Sequence, residues 1–402
     1  MTQEQDFDVV VVGGGPSGAT AATDLAAAGR RVLLLDRAGR IKPCGGAIPP
    51  RLIRDFAIPE SLLVAKATAA RMVAPSGRAV DMPVSASTPG GFVGMVDRDV
   101  FDEWLRARAS TKGAERRVGT FERIDRDADG TALVVFREGR GGHEYRVRTR
   151  AVIGADGARS GVARDAIPGG DRVKCVFAYH EVVASPEGAV AAQAGFAGHR
   201  CDVIYQGDLS PDFYAWVFPH GAHTSIGVGS ANKGFELRKA VARLRATTGL
   251  DQCETVRVEG APIPLTPLKR WDNGRDVLVC GDAAGVVAPA SGEGIYYAMA
   301  CGREAAKATD RFLATGNAAE LKTARRTFMR EHGRTFWVLR MLQYFWYSSD
   351  KRREAFVKMC ADKDVQALTW EAYMNKRLVR RKPMAHVRVF VKDMGHLLGF
   401  AA

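Results

Sequence analysis

The 402-residue sequence predicts an α/β fold with a parallel nucleotide-binding core, an inserted antiparallel sheet and a helical C-terminal segment. Three observations lead there. The stretch "FDVVVVGGGPSGATAATDLAAAGRRVLLLD", 7–36, has the strand–helix–strand pattern of a βαβ unit. Two later apolar runs, 151–154 and 276–280, each lead into an acidic turn. Residues 171–270 break into short aromatic or β-branched runs separated by Gly, Pro and Asp.

In the first of these, Asp8–Val12 is a strand, Pro16–Ala28 an alanine-rich helix ended by Gly29, and Val32–Leu35 the next strand. Gly13, Gly15 and Gly18 spell GxGxxG between strand and helix. The first glycine permits the tight turn, the second lets a pyrophosphate approach the backbone, and the third lets the helix pack close to the sheet. Asp36, eighteen residues past Gly18, ends the second strand where a ribose hydroxyl is held. A lone GxGxxG arises often by chance, but one inside a full βαβ unit with a terminal acid specifies a dinucleotide.

The later runs choose between FAD and NAD. "AVIGADGARSGVAR", 151–164, ends a strand in Asp156-Gly157. "DVLVCGDAAGVVAPASGEGIYYAM", 276–299, is a strand, then Gly281-Asp282, a small-residue loop, and a helix starting near Glu293 between Gly292 and Gly294. An acid at a strand's C-terminal end can hold ribityl hydroxyls, and a glycine-rich helix start can face a pyrophosphate or flavin carbonyl. An NAD dehydrogenase has no ribityl chain and does not need this third element. Two ordinary strand-to-helix turns would explain either stretch alone, but not the three motifs in this order.

Together these stretches resemble the FAD-binding fold of p-hydroxybenzoate hydroxylase relatives across most of 7–310. "MVDRDVFDEWL", 95–105, resembles their helix with an arginine near the flavin, which implies Arg98; by itself Arg98 reads as a surface arginine. The fold class is thus an FAD-binding GxGxxG Rossmann-like domain (1–70, 97–170 and 271–320) with an inserted antiparallel, substrate-covering sheet (71–96 and 171–270). A basic helical segment, 321–402, follows. The meander 121–150 belongs with the FAD domain.

Composition excludes other classes. Hydrophobic residues at 46% and charged ones at 26% are ordinary globular values. Seven scattered cysteines with no CxxC pair suit free thiols in a reducing compartment, not disulfides or zinc. Asp125, Asp127, Asp129 and Gly130 imitate half an EF-hand, but Phe136 occupies the twelfth position and strands flank it, so a hairpin is expected. His220 and His223 form HxxH without a strong third ligand and read as a loop. Ser17 lies in GPSGA, which fails the nucleophile-elbow spacing. No metal is expected.

The start, Met1–Asp8, is acidic and no apolar run reaches the ~18 residues of a spanning helix, so a cytoplasmic protein is expected. Net charge is +13, and 321–402 alone holds 18 Lys and Arg against 7 Asp and Glu. That tail is either a solvated basic face or one suited to an anionic surface. No zinc finger, RRM signature or helix-turn-helix accompanies it, so nucleic acid is not expected. "FWVLRMLQYFWYSS", 336–349, is a helix that either caps the sheet or lies against a membrane, beside the basic "KRRE" and "NKRLVRRK".

Three chemistries suit such a fold: an aromatic hydroxylase, a reductase of carbon–carbon double bonds, and a non-enzymatic prenyl-binding chaperone of the Rab escort and GDP-dissociation-inhibitor type. Asp156 and Asp282 both being present argues against the chaperone. "KPCGGAIPPRL", 42–52, separates the other two. PCGG with "YAWVFP", 214–219, resembles the geranylgeranyl reductase family, in which Y-x-W-x-F-P lines the prenyl pocket and the cysteine lies by the isoalloxazine. Tyr214, Trp216 and Phe218 alternate, so a strand puts them on one face. Without PCGG they would read as ordinary core.

The resemblance is greatest to the chlorophyll and bacteriochlorophyll branch. It implies reduction of geranylgeranyl to phytyl on geranylgeranyl (bacterio)chlorophyll or geranylgeranyl diphosphate, with FAD as cofactor, NADPH as reductant and peripheral attachment to a photosynthetic membrane. The alternatives are a reductase of membrane-lipid synthesis and an aromatic hydroxylase. Lack of a transit segment favours a bacterial over a plastid enzyme. An isolated alkene needs a proton at one carbon as hydride reaches the other. Cys44 is the candidate acid or its positioner, with Gly45 and Gly46 letting backbone approach the flavin and the prolines holding the loop stiff.

Overall fold

The computed structural model describes residues 6–37, 41–84, 91–139 and 141–376. The chain divides into two units: 1–42, 98–175 and 262–334 form the first, and 43–97, 176–261 and 335–402 the second.

The first unit is built on a seven-stranded sheet. Strands Glu115–Val118, Val32–Asp36, Phe7–Val12 and the long Glu144–Gly154 lie side by side in parallel, and Val277–Val279 joins the last of them. The first half of Glu144–Gly154 instead carries the antiparallel meander Thr120–Arg126 and Ala132–Arg137. Its Asp127–Gly130 turn is the expected hairpin, with Asp127 and Asp129 both ion-paired to Arg148. Register fixes the functional edge. Val12 lies opposite Leu35 and Gly154, and Gly154 opposite Val279, so three strands reach their carboxyl ends together beside Val12. The apolar side chains of these strands are fully buried. Helix Pro16–Ala27 packs on helix Ile295–Thr315, where a side chain on Gly302 would sit 2.2 Å from the Ser17 carbonyl.

The second unit holds a seven-stranded sheet in the order Thr255–Pro264, Cys175–Ala184, His223–Ser230, Ala215–His220, Arg200–Ile204, Ala69–Val73, Ala79–Pro83. It is antiparallel except where Arg200–Ile204 runs parallel to Ala69–Val73. Ile226, Val228 and Val217 of this sheet pack with Val241 and Leu244 of helix Leu237–Thr247. A three-stranded sheet, Ala47–Ile48, Val93–Met95 and Ala65–Ala67, completes the unit.

This division differs from the expected bounds at two places. Residues 43–70 group with the second unit because Ala47–Ile48 and Ala65–Ala67 pair with Val93–Met95. The C-terminal helices are no separate segment: Met374, Trp370 and Tyr373 pack against the cluster of Ala67, Met95 and Cys201. Helix Lys322–Trp346 buries Phe336 and Trp346 but leaves Trp337, Met341 and Tyr344 exposed. Most of "NKRLVRRK" lies outside the described residues.

Candidate functional site

In the first unit, the nucleotide motifs meet at the carboxyl edge, where open α/β sheets bind ligands. Gly13 has φ +106°, and a side chain there would lie 2.3 Å from the Ala155 carbonyl. A side chain on Gly18 would lie 1.9 Å from the Gly13 carbonyl, so these two glycines are demanded by the fold itself. Gly15 is different. It heads helix Pro16–Ala27 with no side-chain cap, and its missing side chain would point into open space. A helix start with room above it is a phosphate cradle, and the residues present fit the dinucleotide.

Asp36 ends its strand as expected and accepts a hydrogen bond from Arg106 Nη1 at 3.2 Å. The same nitrogen lies 3.4 Å from the Gly14 carbonyl. Helix Arg98–Thr111 thus brings Arg106 to the nucleotide loop, a residue with no signal in the sequence. Arg98 is not a surface arginine. It is 5% exposed and makes a two-pronged pair with Asp102 at 2.8 and 2.7 Å.

The two strand-end acids have different fates. Asp156 accepts from Ser160 Oγ at one oxygen and from the Gly161 and Val162 amides at the other, capping helix Gly161–Ala166. Burial pushes its carboxyl above the ordinary value. Asp282, in the turn Gly281–Ala284, forms a close ion pair with Lys42. Gly281, at φ +63°, lets the turn approach Ser17, whose hydroxyl donates to Cys280 Sγ at 3.0 Å. Burial pushes the Cys280 thiol up to about 12. Gly292 has φ +63° and Gly294 heads helix Ile295–Thr315, two residues later than the sequence suggests. Glu293 accepts from the Tyr296 amide at 2.9 Å and fixes that helix start.

The second unit assembles the other candidates. Tyr214 immediately precedes strand Ala215–His220, and its ring lies 6.0 Å from that of Trp216, which lies 6.3 Å from Phe218. The expected aromatic face is present. Tyr214 and Trp216 are buried, and Phe213 stacks on Tyr214 at 4.2 Å. The Trp216 indole donates to Ser225 Oγ at 3.1 Å, and Ser225 Oγ lies 3.0 Å from His180 Nδ1. His180 Nε2 in turn stands 2.8 Å from Glu259, itself paired with Arg257. This buried polar chain orients the indole and had no local sequence signal.

The PCGG loop sits on the end of the aromatic row. A side chain on Gly45 would lie 3.0 Å from the Phe218 ring. Gly46 has φ +67°, with no room for a side chain beside Val96 O and the His220 ring. Cys44 is half-buried, and its Sγ accepts from the Gly46 amide at 3.4 Å. The HxxH residues close a tight hairpin, with His220 opposite His223. His220 is 8% exposed and turned away from the turn, so it is more than a loop residue. Among the described residues no cluster of three His, Cys, Asp or Glu stands where it could hold a metal.

Comparison with known proteins places the chain among flavoproteins. An FAD binding domain family matches residues 6–326. The chain is 56% identical to the geranylgeranyl diphosphate reductase of Rhodobacter capsulatus, over 98% of both chains. It is 37% identical to the chloroplastic geranylgeranyl diphosphate reductase of Oryza sativa, over 97% of this chain and 86% of that one. Among solved structures, a geranylgeranyl bacteriochlorophyll reductase-like protein from Thermoplasma acidophilum shares the fold with a TM-score of 0.78. That likeness is at 20% identity and covers 95% of this chain and 99% of the other.

Proposed function

The chain belongs to the geranylgeranyl diphosphate reductase family, and from that premise we propose how its residues divide the work and which substrate they take. It is an FAD-dependent oxidoreductase that reduces carbon–carbon double bonds of a geranylgeranyl chain. The substrate is geranylgeranyl diphosphate or the geranylgeranyl ester of a (bacterio)chlorophyll, and the product carries phytyl. NADPH is the reductant. The observation that supports this most is the seat of the PCGG loop on the Tyr214–Trp216–Phe218 row, a thiol-bearing loop joined to an aromatic wall.

Reduced FAD, when bound, supplies the hydride. Gly15 opens the helix start to its pyrophosphate on a turn shaped by Gly13 and Gly18, Asp36 holds a ribose, and Asp282 with Lys42 holds the ribityl end. Gly281, Gly292 and Gly294 keep backbone close at that end. The aromatic row excludes water and holds the isoprenoid extended. Cys44 delivers or positions the proton for the alkene carbon, and Gly45 and Gly46 let its loop lie flat. Saturating one double bond takes one hydride and one proton, forming two C–H bonds as the π bond is lost.

No helix among the described residues is long and apolar enough to cross a membrane. Attachment is peripheral, through one face of helix Lys322–Trp346. At ~100° per residue, Lys322, Arg326, Arg330, Arg334, Trp337, Met341 and Tyr344 fall within roughly 120° of arc. All seven are exposed. Basic and aromatic residues on one exposed face suit an anionic lipid surface.

The test is anaerobic. Prereduced enzyme is mixed with geranylgeranyl pigment or diphosphate, and products are read by mass spectrometry for gains of two hydrogens per double bond. Cys44→Ser is expected to keep FAD and its bleaching by NADPH while slowing saturation by about 10²–10⁴-fold. Full activity in that variant would remove Cys44 from the chemistry. A product heavier by one oxygen in air would make the enzyme a hydroxylase. Preference for geranylgeranyl ether lipids over both substrates would move it to membrane-lipid synthesis.

A further inference from the structure

The geometry points to His220, clasped by Asp97, as a positioning residue that holds the Cys44–Gly46 loop against the aromatic row. We propose this role as an extension of the one given to Cys44, on which it rests. His220 continues the alternation of Trp216 and Phe218 along strand Ala215–His220, and its ring meets the loop beside Phe218. Nε2 lies 3.0 Å from the Gly45 carbonyl and Nδ1 lies 3.1 Å from Asp97 Oδ1. The neighbouring backbone closes the arrangement, as the Val96 amide donates to the Gly46 carbonyl at 3.0 Å.

Both partners of the ring are acceptors. A carbonyl and a carboxylate can only receive hydrogen bonds, so any hydrogen bond this ring makes to them is one it donates. The hydrogen bond to His220 holds the Asp97 carboxyl below its ordinary value, and His223 and Arg257 act on it in the same direction. Burying the His220 ring carries a desolvation cost that its two polar contacts offset. The hairpin does not require them: His220 and His223 already pair through their strands, and the His220 ring leaves the turn to address the loop. What the clasp fixes is the Gly45–Gly46 peptide, one residue on from Cys44. The thiol is thereby held in one orientation, and misplacement of a reacting group by about 1 Å can cost 10²-fold in rate.

The experiment uses the full-length flavoenzyme and three variants: His220→Ala, His220→Gln and Asp97→Asn. Two quantities are followed: the rate at which iodoacetamide labels the Cys44 peptide, read by peptide mass spectrometry, and the single-turnover rate of alkene saturation. Reading the Cys44 peptide separates its label from any on the half-buried Cys175 and Cys253. His220→Ala is expected to label severalfold faster and saturate about ten- to a hundredfold slower, with FAD content and NADPH bleaching unchanged. His220→Gln, whose amide can still donate to the Gly45 carbonyl, is expected to recover most of both. Should His220→Ala fail to fold, His220→Gln and Asp97→Asn carry the comparison, with Asp97→Asn the looser. Unchanged labelling and saturation in all folded variants would overturn the proposal. So would His220→Gln matching His220→Ala with only thermal stability lost. If Cys44→Ser is fully active while His220→Ala still loosens the loop and slows turnover, the clasp stands and the thiol's role falls.

Discussion

Lys42 and Asp282, 240 residues apart in the chain, form a close ion pair at the turn after strand Val277–Val279. The pair sets the charge at the ribityl end of the proposed flavin site. Asp282→Ala removes a charged hydrogen-bond acceptor, worth about 1.5–3 kcal/mol. FAD affinity is expected to fall about ten- to a hundredfold, measured as flavin absorbance retained on gel filtration and by titration of apoprotein. Lys42→Met is expected to weaken binding less, because Asp282 remains. A fully yellow Asp282→Ala protein would show that the turn, not the carboxylate, holds the flavin.

The glycines give a test that separates folding from binding. A methyl on Gly18 must displace the Gly13 carbonyl, whereas a methyl on Gly15 meets no protein atom within 4 Å. Gly18→Ala is expected to lower the melting temperature of the apoprotein. Gly15→Ala is expected to leave that temperature where it is and yet to lose FAD. If Gly15→Ala binds FAD normally, the open space above the helix start is not the pyrophosphate site.

These contrasts mark what the sequence carried. GxGxxG, the strand-end acids and the alternating Tyr214–Trp216–Phe218 row were legible because each depends on spacing within a few residues. Lys42 with Asp282 was not, since only the register of the parallel strands brings that turn to the nucleotide edge. Asp36 and Asp156 look alike in sequence, yet Ser160 and the amides after it turn Asp156 into a helix cap. Arg98 and Arg106 share one helix and each has a partner on it, Asp102 and Glu103, but Arg106 also reaches Asp36. The strands at Ala47–Ile48, Ala65–Ala67 and Val93–Met95 are not legible, because two or three residues carry no readable period. His220 was set aside as half of a weak metal motif, when its partners are a carbonyl and a carboxylate far away in the chain.

The clasp leaves a signature in acid. The Asp97 carboxyl is depressed in the folded state, first by the hydrogen bond to His220. A depressed carboxyl stabilises the fold at pH above its unfolded value, and that contribution is lost as pH falls through the folded value. The stability advantage of wild type over Asp97→Asn is therefore expected to shrink as pH falls below about 4. Urea unfolding at a series of pH values measures this. An advantage undiminished at the acid end would mean that Asp97 and His220 are not coupled.

The exposed face of helix Lys322–Trp346 makes the last prediction. Each Lys or Arg near an anionic surface is worth about 1 kcal/mol, and salt screens that attraction. Trp337 is 66% exposed and Tyr344 78%, values that suit rings placed at a headgroup interface and would be costly on a face left in water for no purpose. Changing Arg326, Arg330 and Arg334 together to Gln is expected to abolish flotation with anionic liposomes at low salt. Changing Trp337 and Tyr344 to Ser is expected to weaken flotation in a way that added salt does not mimic, because the lost contribution is apolar. None of these positions lies in the flavin or aromatic sites, so saturation of a soluble diphosphate should persist in both variants. Equal binding of wild type to neutral and anionic vesicles, or unaltered flotation of both variants, would show that this face does not meet the membrane.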